Sequence, residues 1–96
     1  MNIDIEYLAK QEKKTFEQLG LKLGEEYGEL VQALLSSLDA PGSEYKNKTF
    51  IDVQEEAVDV ILVALTVFYK AGGTDRVFDL FANTKIKKWK EKCGLE

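Results

Sequence analysis

Hydrophobic positions along this chain recur at helical spacing in stretches separated by short polar punctuation, and no segment alternates in the period-two manner of a strand. The first stretch, from Asp4 to about Lys13, carries Ile5, Leu8 and Ala9 on one side. Thr15-Phe-Glu-Gln18 has the form of a capping box, whose hydroxyl and amide satisfy free N–H groups at a helix start. It predicts a helix running to about Leu38. Asp39-Ala-Pro-Gly-Ser43 is expected to end that helix, because proline cannot continue it and glycine eases the exit. A polar loop from Ser43 to Lys48 follows. Thr49-Phe-Ile-Asp52 is a second cap-like signature, opening a helix that reaches Ala71. Gly72-Gly73 closes it, and Thr74-Asp75 starts a last helix to about Lys92. The expectation is one all-α domain over residues 1–96, a four- to five-helix bundle with two long central helices.

On a helical wheel, Phe16, Leu19, Leu23, Tyr27, Leu30, Val31, Leu34 and Leu38 form an apolar arc on the first long helix. Glu26 falls at the edge of that arc, Glu29 about 60° further round, and Glu25 further outward. The second long helix is apolar almost all round from Val60 to Tyr69, apart from Thr66. Its polar residues, including Glu55, Glu56 and Asp59, make one narrow stripe. A helix of this kind is expected to be buried. Val63 and Val67 continue the stripe of Glu56 and Asp59, so a monomer would leave aliphatic surface bare. This predicts an obligate oligomer, a homodimer or dimer of dimers, built on the helix from Phe50 to Ala71. A monomer would instead require the short first helix to fold back over Val63 and Val67.

Composition sharpens the picture. Ninety-six residues support one modest core. The longest apolar run, Ala57 to Tyr69, has 13 residues and contains Asp59, short of the ~20 needed to cross a bilayer. Cys93 is the single cysteine and the N-terminus has no signal-peptide pattern, so a soluble, cytoplasmic protein is expected. The net charge of -4 is uneven: residues 85–96 carry five lysines and two glutamates. An acidic chain argues against gripping nucleic acid through many phosphates. The local basic segment suits a smaller phosphate-bearing partner, and equally a solvated helix end that complements the helix dipole.

Each long helix thus offers a carboxylate pair at spacing i, i+3, which aims both groups to one side. Clustered carboxylates repel one another unless a cation sits among them. Oxygen-only ligands suit a hard cation, and one that keeps waters and shares its shell with phosphate is Mg²⁺, for which Mn²⁺ can substitute. The absence of histidine argues against zinc and against imidazole acid–base chemistry. Solvated acidic faces remain the alternative that spacing alone leaves open.

Lys22-Leu-Gly-Glu-Glu-Tyr-Gly-Glu-Leu30 followed by Glu55-Glu-Ala-Val-Asp-Val-Ile61 resembles the paired signature of the MazG-like nucleotide pyrophosphohydrolases, Glu-x-x-Glu on one helix and Glu-x-x-Asp on the next. The resemblance runs from about Phe16 to Lys92. It implies an all-α enzyme that hydrolyses nucleoside triphosphates to the monophosphate and pyrophosphate, and assembles as a dimer or tetramer. It further implies that Glu26, Glu29, Glu56 and Asp59 bind Mg²⁺, with Glu26 or Glu29 available as a base. Glu25 and Glu55 are candidates for a second metal or for orienting water.

On the last helix, the face of Val77, Phe78 and Phe81 continues into Lys85, Lys88 and Lys92. By the same resemblance Asn83, Lys85 and Lys88 would bind substrate. The family often has arginine three or four positions after the lysine, whereas this chain has Lys88 and Trp89, which lack the planar guanidinium fork. Phe16, Tyr27, Tyr45 and Trp89 are available to stack on a base, and equally to pack in a core or interface. Two other readings stand beside this one. One is a related all-α dUTPase or phosphoribosyl-ATP pyrophosphohydrolase; the other is a non-catalytic helical dimerisation or regulatory module.

Overall fold

Each helix begins on a side chain that supplies the acceptor its first turn lacks. In the computed structural model, which describes residues 4–43 and 47–95, the helices are α1 (Ile5–Gln11), α2 (Phe16–Ser37), α3 (Phe50–Lys70) and α4 (Asp75–Lys92). No strand occurs among the described residues. Asp4 accepts from the Tyr7 N–H at the head of α1. Thr15 and Gln18 make the full reciprocal box on α2, with N–H···O distances of 3.1 and 2.9 Å. Thr49 and Asp52 do the same on α3, and Thr74 caps α4. Such caps are worth about 1 kcal/mol each.

The long helices also end alike. The residues Asp39, Gly72 and Gly94 take left-handed φ values of 54°, 98° and 72°. The N–H groups that follow turn back: Ala40 to the Leu35 carbonyl, Gly73 to Phe68, Leu95 to Lys90. That is the double-bonded exit that satisfies the last carbonyls of a helix. Helix α2 ends at Ser37 with Leu38 as its cap, close to the expected end, and the left-handed Asp39 makes the exit ahead of Pro41. At Gly73 there is no room for a side chain, since a Cβ would run into the Phe68 ring.

Helices α2 and α3 form an antiparallel pair. The Lys48 N–H donates to Ser36 Oγ at one end, Glu29 meets Glu56 midway, and the Lys70 ammonium lies 5.8 Å over the Phe16 ring at the other. Helix α1 packs on α3, burying Ala9 against Leu65 and Tyr69 with Ile5 and Phe68 alongside. Helix α4 leaves α3 through a 118° bend. Its described contacts with the other helices lie near its N-terminal end, where Phe78 meets Phe68 edge-on and Asp75 accepts from the Tyr69 hydroxyl. Every residue from Asn83 to Leu95 is exposed.

The arrangement is thus more open than the bundle the sequence predicts. Its radius of gyration is 16.1 Å, against about 12–13 Å for a compact chain of this length. It exposes 7506 Å², where a folded monomer of this mass exposes about 5,600 Å². Helix α3 is correspondingly less buried than its composition suggests: Leu65 and Tyr69 are covered, while Val58, Ile61 and Leu62 are 50%, 49% and 41% exposed. Val63 and Val67 are half-buried. Val67 shares a cleft with Phe68, Val77 and Phe81, so α4 rather than α1 stands beside it. No single helix is long and apolar enough to cross a membrane. The candidate stacking residue Tyr45, and residues 44–46 of the polar loop, lie outside the described residues.

Candidate metal centre

Among the described residues, the main packing partner of α2 is α3. The centre of the seam between them follows a seven-residue repeat, Leu19, Glu26 and Ala33, which are 2%, 6% and 1% exposed. That repeat keeps successive side chains facing one partner helix. Glu26 therefore occupies the middle of the seam rather than its edge, at a position where an apolar side chain would ordinarily sit. The broader arc read from the wheel is only partly covered, and Phe16, Tyr27 and Leu38 remain 51%, 62% and 64% exposed.

Across the seam, Glu26, Glu29 and Glu56 each place a carboxylate oxygen within 4.8 Å of the others. Glu26 is buried, Glu56 half-buried and Glu29 exposed. The Lys22 ammonium lies 2.9 Å from Glu26 Oε1 and 3.4 Å from Glu25 Oε1. The other oxygen of Glu26 and one oxygen of Glu56 are buried without a hydrogen-bond partner. The neighbouring charge of Glu26, then burial, then the charge of Glu56 raise the Glu29 carboxyl above its ordinary value. The contact with Glu26 raises the Lys22 ammonium in turn, keeping it charged.

This donor set fits a hard divalent cation. It is all carboxylate, it keeps two buried oxygens unsatisfied, and Glu29 leaves one side of it open to solvent. Ligands of one Mg²⁺ lie at most about 4 Å apart, so a bound ion would draw these side chains slightly together. Asp59, the fourth expected ligand, is one turn beyond Glu56, exposed and outside the group of three.

The expected substrate residues are not brought to this centre within one chain. Asn83, Lys85 and Lys88 are all exposed on α4, and no ion pair among the described residues links either lysine to the carboxylates. Helix α4 is turned by 118° from α3, and its ring and hydrogen-bond contacts with α3 lie near its N-terminal end, at Asp75 and Phe78. Asn83 instead borders a cleft with Ile86, Lys87, Lys90, Glu91 and Leu95. The residue that sequence reasoning passed over is Lys22. Its signal was present, a lysine one helical turn before the first motif carboxylate.

A second polar cluster joins α1, α3 and α4. Glu6 accepts from the Asp75 N–H and pairs with Lys10 at 2.9 Å. The hydrogen bond to Asp75, with burial, pushes the Tyr69 hydroxyl up to about 12. Every member is partnered, and the cluster reads as a structural tie. Comparison with protein-family models, with curated proteins and with solved structures returns no match for this chain.

Proposed function

We propose that this chain is a Mg²⁺-dependent nucleoside triphosphate pyrophosphohydrolase, releasing a nucleoside monophosphate and pyrophosphate. The observation that carries the reading is the meeting of Glu26, Glu29 and Glu56 across the α2–α3 seam, with two buried oxygens left unpartnered. A polar group is normally buried only with a partner, and a cation supplies one here. The resemblance of the paired motif to the MazG-like enzymes supplies the reaction and the fourth ligand, Asp59.

When bound, Mg²⁺ polarises phosphate oxygens and offsets charge developing on the leaving group. The chain's own contribution is positional. Glu26 and Glu56 project from two helices locked in register by the antiparallel pairing. Of the two carboxylates suited to act as base, Glu26 is buried and engaged by Lys22, while Glu29 stands at the exposed edge of the cluster, where water reaches it. Glu29 is therefore the group assigned to accept a proton from the attacking water. The water oxygen bonds to the α-phosphorus, the bridge to the β-phosphate breaks, and pyrophosphate departs.

The same reading includes a homodimer or dimer of dimers. The surface exposed beyond that of a compact monomer is of the size each subunit of an obligate dimer gives up, and it includes Val58, Ile61 and Leu62 on α3. Asn83, Lys85 and Lys88 serve substrate in this assembly only where α4 of one copy lies over the carboxylates of another. Mixing Glu29→Gln chains with Lys85→Ala/Lys88→Ala chains tests that: recovered turnover requires the two halves to come from different copies.

The remoteness of α4 favours a second reading, a non-catalytic helical module. Incubating the protein with each common NTP and dNTP, in Mg²⁺ and in EDTA, separates the two. Turnover confined to Mg²⁺ supports the enzyme, and no turnover of any triphosphate supports the module.

A further inference from the structure

The proposed reaction needs positive charge for the phosphate chain as well as a metal, and within one chain α4 does not deliver it. The ammonium that the described residues do hold against the carboxylates is that of Lys22. We propose that Lys22 is a substrate-binding residue, contacting the phosphate chain beside the metal rather than acting only as a counter-ion to Glu26. This rests on the phosphohydrolase reading and deepens it.

Three features carry the assignment. An ammonium has three N–H donors; here two are engaged, by Glu26 Oε1 and Glu25 Oε1, and the side chain remains 40% exposed. The exposed part of the ammonium is open to a further acceptor. Second, Lys22 takes one oxygen of Glu26 and leaves the other buried and open. A cation held by that open oxygen would therefore sit next to the ammonium on the same carboxylate, giving a phosphate chain two positive neighbours. Third, Glu25, Glu26, Glu29 and Glu56 outweigh one divalent ion. Without Lys22 the metal-loaded site would stay strongly negative toward a polyanion.

The test uses Mn²⁺ alone and then inorganic pyrophosphate, each titrated calorimetrically into wild type, Lys22→Met and Lys22→Arg. Lys22→Met is expected to bind Mn²⁺ at least as tightly as wild type, having lost a competing positive charge. It should bind pyrophosphate in Mn²⁺ roughly tenfold or more weakly, the size of a lost charge-assisted hydrogen bond. The KM for a triphosphate should rise by a similar factor, and Lys22→Arg should recover part of it. Lys22→Gln, which keeps a polar end, gives the same comparison if the Met variant melts early. Unchanged pyrophosphate affinity in the neutral variants overturns the assignment and leaves the metal centre standing. Failure of the wild type to bind Mn²⁺ overturns the metal centre, and Lys22's role with it.

Discussion

Glu26 on α2 and Glu56 on α3 face one another across the helix seam, each with a carboxylate oxygen buried and without a hydrogen-bond partner. Leaving such a group unsatisfied costs of order 1–3 kcal/mol. A ligand bound only by the folded state recovers stability as its concentration rises, about 2.7 kcal/mol at one hundred times Kd. Millimolar Mg²⁺ is therefore expected to raise the melting temperature by several degrees over EDTA. Identical melting in both would show that the seam is content without a cation.

The acidity of Glu29 gives a pH signature. Its folded-state pKa lies above the ordinary value because of Glu26, burial and Glu56. Between the ordinary and raised values the folded protein holds more protons than the unfolded one, so this group's contribution falls as pH rises through that window. In EDTA, Glu29→Gln should flatten that fall, and in saturating Mg²⁺ wild type should lose it too. Scanning thermal melting against pH checks this, and an unchanged slope in Glu29→Gln contradicts it.

The parts of this molecule legible in the sequence are those decided locally. Thr15/Gln18 and Thr49/Asp52 announce helix starts because a cap satisfies its own first turn. The pairing of Glu26 and Glu29 with Glu56 was legible because i, i+3 spacing on adjacent helices leaves few ways to face. The position of Glu26 was not. The wheel weighed every apolar residue on α2 equally, whereas the residues of α2 that are fully buried are Leu19, Glu26, Ala33 and Ser36. The direction of α4 was illegible too. It is set by the bend at Gly72-Gly73, and no periodicity in Val77, Phe81, Lys85 and Lys88 encodes where that face points.

Substitution separates the ligands. Glu29→Gln and Glu56→Gln are each expected to reduce turnover at least a hundredfold, with the fold in EDTA intact or slightly more stable as repulsion is relieved. Asp59→Asn should lose at least tenfold, since a side chain one turn from Glu56 needs only a rotamer change to join a bound ion. Pyrophosphate release and melting in EDTA, measured on the same samples, give both halves. Wild-type turnover in any variant removes that residue from the centre.

Assembly is tested where the chain leaves α3 bare. Gel filtration with light scattering at low micromolar concentration should give a mass at least twice 10.9 kDa. Val58→Glu should split the assembly and reduce activity without disturbing the chain's own core. Val58 is half exposed in one copy, whereas Val67 lies beside Phe68 and Phe81. A stable, fully active species near 11 kDa would contradict this.

Product analysis tests the central claim most directly. The protein is incubated in Mg²⁺ with each common NTP and dNTP, and the products are resolved by anion-exchange chromatography. The account predicts equal amounts of nucleoside monophosphate and pyrophosphate from at least one substrate, and none in EDTA. Accumulation of nucleoside diphosphate with orthophosphate, or no product from any triphosphate, would contradict it.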